Sequence, residues 1–211
     1  MDRRDRRQRR VEVLSTILLA AAAVATAWAT YQSTQWRGNQ AADYSKATAA
    51  RIYSSQASTR AGQLAQVDIA TFIQWVDADV HSDEKLARFY RMRFRKEFRP
   101  AFNAWLATNP KTNPKAPLSP FAMPEYRLAE VIKSERFTAT AAVGAAAAEE
   151  ANQRADNYIL AVVLFATSLF FAGISTKMRS LGQQEALLII GALIFLGTIV
   201  WLATQIGRAH V

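Results

Sequence analysis

Three runs that lack any charged residue or histidine dominate this sequence, at 13–30, 158–175 and 186–205. A hydrocarbon core of roughly 30 Å is crossed by about 20 helical residues, so each run is long enough to span a membrane. Buried helices of a soluble protein are the alternative, but three such runs in a chain of 211 residues argue against it. We therefore predict an all-α integral membrane protein with three transmembrane helices and an antiparallel helical stalk domain outside the bilayer.

Basic residues set the expected orientation of these spans. The tail 1–10 is rich in arginine, and the loop 176–185 carries Lys177 and Arg179. Short loops that are rich in Lys and Arg stay on the cytoplasmic side, which places both segments there and 32–157 outside. The expected location is a bacterial inner membrane, multi-pass, with a cytoplasmic N-terminus. A cleavable signal peptide ending near Ala27-Trp28-Ala29 is the alternative for the first span.

The segment 206–211 is expected to be foreign to the native protein. Its residues, Ile-Gly-Arg-Ala-His-Val, can be back-translated into ATC GGA AGA GCA CAC GTC, which matches a common sequencing adapter. Segments that come from processing or assembly are excluded from fold reasoning. This leaves His81 as the histidine to consider.

The region 32–157 is predicted to form three helices. Proline is absent between Val13 and Val80, so the first span should continue as one long helix, whose last turns carry an apolar face. That face consists of Ile69, Phe72, Ile73, Val76 and Val80. A turn near His81 with Ser82 as N-cap should start a second helix, which runs to about Leu106 with a kink at Pro100. A proline-rich loop, 109–124, should precede a third helix that starts near Glu125 and continues into the second span.

Basic and aromatic residues alternate along the predicted second helix. Leu86, Tyr90, Phe94, Phe98 and Phe102 are spaced four apart and form an apolar stripe. The basic residues are candidates for binding a partner: Arg91, Arg93, Arg95, Lys96 and Arg99. Nucleic acid is disfavoured by the expected outer location, and lipid headgroups by the expected distance from the bilayer. A protein or polymer partner remains, beside the simpler interpretation of an aromatic core with a solvated basic face.

Asp77, His81 and Glu84 share one face if this turn is helical, a spacing that can hold a divalent cation. The alternative is a solvated acidic turn with N-cap chemistry, and we treat these three residues only as a weak metal candidate. No cofactor is predicted.

The chemistry of the chain disfavours enzymes and autonomous transporters. The three runs have no ionisable residue in their interiors, and ion-coupled carriers usually need one. Cysteine is absent, and we find no motif of a nucleotide-binding loop or a hydrolase nucleophile. We expect a non-enzymatic structural, interaction or assembly protein of the cell envelope. The expected partners are the lipid bilayer, further copies of the chain and an envelope protein, without nucleic acid. The alternatives are an oligomeric channel or accessory subunit of a transporter, and a membrane sensor component.

Two stretches resemble an uncharacterised family of small bacterial inner-membrane proteins. They are Ser-Pro-Phe-Ala-Met-Pro-Glu-Tyr-Arg-Leu-Ala-Glu at 119–130 and Asn-Tyr-Ile-Leu-Ala-Val-Val-Leu-Phe-Ala-Thr-Ser-Leu-Phe-Phe-Ala-Gly at 157–173. The resemblance implies one amino-terminal span, a helical domain and two carboxy-terminal spans. It implies no activity and no functional residue.

Overall fold

The computed structural model describes residues 3–207, with side chains for 6–205. Most of the described residues are helical, and they form no strand. The elements are α1 (Arg3–Val80), α2 (Glu84–Arg93), α3 (Arg99–Ala107), a 3-10 turn (Pro120–Ala122), α4 (Ala129–Ser175) and α5 (Leu181–Gly207). The segment that we expected to be foreign, 206–211, lies outside the described residues except for the backbone of its first two.

Helices α1, α4 and α5 are each long and apolar enough to cross a membrane. The all-α prediction with three candidate spans is confirmed at this level. The predicted continuity of the first span with a long helix is also observed, because α1 runs without a break from Arg3 to Val80. The third predicted helix likewise continues into the second span as α4, although it begins at Ala129 and not near Glu125.

The chain divides into two compact units. The first unit contains the residues up to Tyr44 and those from Ala145 onwards, and it includes the three uncharged runs. The second unit is Ser45–Gly144 and contains α2, α3 and the proline-rich loop.

Small polar side chains join the helices of the first unit. The hydroxyls of Ser15 on α1 and Ser175 on α4 lie 3.1 Å apart, and both residues are buried. The Ser168 hydroxyl donates to the backbone carbonyl of Gly191 on α5 at 2.9 Å. Such hydrogen bonds are a common contact between helices in lipid, where association gains nothing from removing apolar surface from water.

An aromatic pair lies at the ends of the uncharged runs of α1 and α4, and an aromatic–charged pair lies just beyond them in the same unit. Trp28 and Tyr158 pack edge to face with their centroids 5.6 Å apart. The Arg154 guanidinium lies 4.5 Å from the ring centroid of Trp36. Amphipathic rings of this kind favour the boundary between apolar and wet surroundings.

In the second unit, α1 and α4 meet along a seam of small residues. Ala47, Ala50, Ala57 and Ala61 of α1 and Ala141 of α4 are buried, and Gly144 packs directly on Ala47. The Ser54 hydroxyl lies 3.0 Å from that of Ser134 and 2.8 Å from that of Thr138. Residue numbers rise along one helix as they fall along the other, so the two helices run in opposite directions here.

The prediction of one continuous second helix is wrong. The structure has two helices, α2 and α3, because the helix stops at Arg93 and restarts at Arg99 with Pro100 in the first turn of α3. Proline fits the first turn of a helix, where its missing N–H is not needed. The predicted N-cap is also off by one residue, since the Asp83 carboxylate accepts from the Leu86 N–H at 3.0 Å and Ser82 lies in the left-handed turn at φ 59°.

Candidate functional site

An aromatic cluster forms the core of the second unit around the last turns of α1. Its buried members are Trp75, Phe94, Phe98, Phe102 and Trp105, with Phe72, Phe121 and Tyr126 packed against them. Phe98 and Phe121 stack with centroids 5.2 Å apart, and Trp75 meets Phe102 edge to face at 4.7 Å. The Trp105 N–H donates to the Pro117 carbonyl at 2.7 Å, which fixes the proline-rich loop to α3. The cluster therefore holds α1, the segment 94–105 and the loop in one body.

A buried charge cluster lies beside these rings, and we name it the Asp68 cluster. Its members are Asp68 on α1, Arg95 and Glu97 between α2 and α3, and Tyr126 before α4. Arg95 Nη1 donates to Asp68 Oδ2 at 2.9 Å, and the Tyr126 hydroxyl donates to the same oxygen at 3.1 Å. Arg95 also pairs with Glu97 through Nη2. The other carboxylate oxygen of Glu97 accepts from the Ala129 N–H, at the first residue of α4.

The Asp68 side chain is completely buried, whereas Arg95 is 23% and Glu97 is 32% exposed. Within the described part of the chain, Asp68 Oδ1 makes no hydrogen bond. Burial raises the pKa of Asp68 above its ordinary value, although the charge of Arg95 acts in the opposite direction. Burial, followed by the charge of Asp68, likewise raises the pKa of Tyr126, so its hydroxyl stays protonated and donates.

The five basic residues that we proposed as a partner surface do not act as one group. Arg95 points inward as described. Arg99 donates to the carbonyl of Phe94 at 2.8 Å and to that of Met92 at 3.0 Å, so it satisfies acceptors where α2 ends.

The remaining members of that set lie on the surface. Arg91 donates to Asn103 at 3.2 Å, and the guanidinium of Arg93 lies 4.3 Å from the ring centroid of Phe89. Lys96 is exposed. Since two of the five residues serve the fold of the unit, the basic stretch is an internal support as well as a charged surface.

The weak metal candidate is partly assembled. His81 Nδ1 lies 2.8 Å from the backbone carbonyl of Asp77 and 3.4 Å from its carboxylate, and both side chains are exposed. Glu84 begins α2 on the far side of the turn and is exposed. Over the described residues, no three His, Asp or Glu side chains are grouped as metal ligands.

An apolar stripe on α1 faces solvent. We name it the α1 stripe; it consists of Ile69, Ile73 and Val80, which are exposed by 42%, 57% and 72%. The spacings of four and seven place these residues on one side of the helix. The sequence had placed Phe72 and Val76 on the same face, but both side chains pack against the aromatic cluster.

Sequence reasoning missed Asp68, Glu97 and Tyr126. A signal for Asp68 was available, because it falls in the buried register of α1 between Ala61 and Trp75, where a carboxylate needs a partner. Glu97 and Tyr126 lie outside regular helices, so no periodicity singled them out.

Comparison with known proteins returns no family model, no curated protein and no solved structure that matches this chain.

Proposed function

We propose that this chain is a non-enzymatic membrane protein of the bacterial envelope that assembles with further copies of itself through its helical unit. In this proposal α1, α4 and α5 cross the inner membrane, the N-terminus is cytoplasmic and the second unit lies outside. The basic tail 1–10 and the exposed Lys177 and Arg179 support this orientation. The α1 stripe carries the proposal of assembly.

The α1 stripe has the features of a surface that pairs with another helix. Ile69, Ile73 and Val80 recur at spacings of four and seven, as in the seam of a coiled coil, where Ile at both seam positions favours parallel assemblies of more than two helices. The stripe belongs to the second unit, so lipid does not cover it in the proposed topology. Gln66 and Ala70, which flank its first half on α1, carry no charge, and the exposed Asp77 flanks its second half.

Anchoring in the membrane favours a second copy of the chain as the partner that covers the α1 stripe. Copies anchored in one bilayer share one orientation, which is the orientation that a parallel seam needs. Completely burying an isoleucine is worth about 1.5–3 kcal/mol, and the half-exposed side chains of the stripe gain part of that. Association from free solution costs at least about 4 kcal/mol, and confinement in the bilayer reduces that cost. We therefore expect a reversible assembly that depends on the membrane anchor.

Cross-linking in native membranes tests this proposal, because an introduced cysteine is the one thiol that this chain then carries. Ile73→Cys places a thiol in the α1 stripe. Val67→Cys is the matched control, because Val67 is also β-branched, 50% exposed and on the opposite side of α1. A short bifunctional maleimide should convert the Ile73→Cys variant to a species of twice the chain mass and leave the Val67→Cys variant monomeric.

Two results contradict the proposal in different ways. Equal yields from both variants would mean random collision in the membrane. A product of a mass other than a multiple of the chain would mean that a different protein covers the stripe. Replacing Ile69 by Glu in the Ile73→Cys variant should abolish the dimer product if the stripe is the contact.

The orientation is tested separately with an impermeant maleimide on intact cells. Leu118 is 99% exposed in the proline-rich loop, and Ser180 is exposed in the short loop before α5, so both positions accept a label. The proposal requires labelling of Leu118→Cys and none of Ser180→Cys. The reverse pattern would place the second unit in the cytoplasm.

A further inference from the structure

The Asp68 cluster has one more negative than positive charge. Asp68 and Glu97 are two carboxylates, and both bind the single guanidinium of Arg95. Tyr126 contributes a neutral hydroxyl. Ionised Asp68 therefore leaves a net charge of one unit in a region where the Asp68 side chain has no contact with water. A buried charge that is incompletely paired is costly, and proton uptake is the usual way to remove it.

The two oxygens of the Asp68 carboxylate have different surroundings. Oδ2 accepts from both Arg95 and Tyr126. Oδ1 accepts from no donor within the described residues. A proton on Oδ1 would neutralise the excess charge and leave both hydrogen bonds to Oδ2 in place. The geometry thus provides one oxygen for anchoring and one for the proton.

The cluster joins the segments that close the second unit. Asp68 belongs to α1, Arg95 and Glu97 to the α2–α3 connection, and Tyr126 to the segment before α4. Glu97 extends the connection to the first N–H of α4 through Ala129. A change in the charge of Asp68 therefore acts on four segments at once.

We propose that Asp68 is a proton-binding site whose occupancy determines how tightly the α2–α3 connection and the Tyr126 segment are held to α1. With the proton bound, Arg95 and Glu97 form a balanced pair and the cluster is neutral. Without it, the excess charge favours local opening, which lets water reach the carboxylate. This inference is independent of the proposed assembly, because the α1 stripe faces away from the cluster.

The thermodynamic linkage between proton binding and folding determines the sign of the pH effect on stability. The groups that act on Asp68 are Arg95 and Glu97 from the α2–α3 connection and Tyr126 from the segment before α4. Together with burial, these groups leave the pKa of Asp68 above 3.8. The folded unit then keeps this proton at pH values where the unfolded chain has lost it. The stabilisation is complete below pH 3.8 and disappears as the pH rises through the raised pKa. Acidification should therefore tighten the unit.

Hydrogen exchange of the full chain in lipid nanodiscs measures this tightening. The readout is the protection factor, corrected for the intrinsic pH dependence of exchange, of peptides covering 93–99 and 120–130. For the wild type we expect protection to rise on acidification by up to about tenfold per pH unit, the limit for one proton. Asp68→Asn, a permanently neutral side chain, should show high protection that does not change with pH.

Two further variants keep the test decisive. Glu97→Gln removes the excess negative charge and retains an oxygen for the Ala129 N–H, so the wild-type transition should move to lower pH. Asp77→Asn is the matched control, because Asp77 is an exposed aspartate on the same helix, and its variant should retain the wild-type profile. A wild type with no pH dependence, an Asp68→Asn variant that retains it, or a Glu97→Gln variant with an unshifted transition would each overturn the proposal.

Discussion

The contact between Gly144 and Ala47 provides a sharp test of the seam between α1 and α4. A Cβ atom added at Gly144 would lie 3.2 Å from the Ala47 Cβ and 3.4 Å from its Cα and backbone nitrogen. Carbon atoms attract best at about 3.5–4.0 Å, so the added methyl group would press on an opposing helix backbone that cannot rotate away. Gly62 is the matched position, since an added Cβ there would meet nothing within 4 Å.

The two Gly→Ala changes should differ in sign. Both replace a helical glycine, which by propensity alone gains about 0.8–1 kcal/mol. At Gly62 the whole gain should remain. At Gly144 overpacking costs about 1–3 kcal/mol, so the net effect should lie between zero and a loss of about 2 kcal/mol. The difference between the variants is then about 1–3 kcal/mol in the free energy of unfolding.

Exchange protection of peptides covering 45–61 and 129–144 reports this difference in the full chain. A difference of about 1.4 kcal/mol corresponds to a tenfold change in protection. Adding Ala47→Gly to Gly144→Ala exchanges the two side chains across the seam and should restore protection. The packing argument is refuted if the two Gly→Ala variants gain equally, or if the effects of Gly144→Ala and Ala47→Gly add to within about 0.5 kcal/mol.

Two further changes probe the core of the second unit. Arg95→Met leaves Asp68 buried without its cation and should cost on the order of 3 kcal/mol of unfolding free energy at neutral pH, and Asp68→Asn in the same chain should recover part of it. If the effects of these two substitutions on the free energy of unfolding simply added, the ion pair between Arg95 and Asp68 would be contradicted. Trp105→Phe retains most of the ring but leaves the Pro117 carbonyl without its donor, at a cost of about 1–2 kcal/mol. Proteolysis within 109–119 should accelerate, whereas Phe89→Leu on the surface should leave it unchanged.

The long elements of this fold follow from simple sequence features. An uncharged run that is long enough to cross a membrane is stable as a transmembrane helix or a buried helix. Because no proline lies between Val13 and Val80, no helix-breaking proline interrupts α1 there. These features depend on residues that are near each other in sequence, so a periodicity argument reaches them.

The break between α2 and α3 could not be predicted from a local periodicity. Phe94, Phe98 and Phe102 repeat every four residues, which indicates one continuous helix with an apolar stripe. In the structure the same residues are buried around Trp75 after the chain leaves helical geometry at Phe94. The Arg99 side chain satisfies carbonyls at that break, a role that a sequence pattern cannot distinguish from a solvated charge.

The interpretation of the basic helix changes for the same reason. A run of arginines among aromatic rings suggests a surface for an acidic partner as long as every side chain is assumed to point outward. Asp68 lies 27 positions before Arg95 in the sequence. The ion pair between them directs the Arg95 side chain toward the interior of the second unit. A local pattern does not contain that information.

The Asp68 cluster and the α1 stripe involve different faces of the same short stretch of α1. Asp68 and Ile69 are adjacent in sequence, but helical geometry separates them by about 100° around the axis, so one faces the α2–α3 connection and the other faces solvent. A helix interior transmits little between such faces unless its backbone moves. We therefore expect the cross-linking yield of Ile73→Cys to be the same at neutral and acidic pH. A yield that changes with pH in this variant, and does not when Asp68→Asn is added, would mean that proton binding bends or rotates α1 and that the two proposals describe one device.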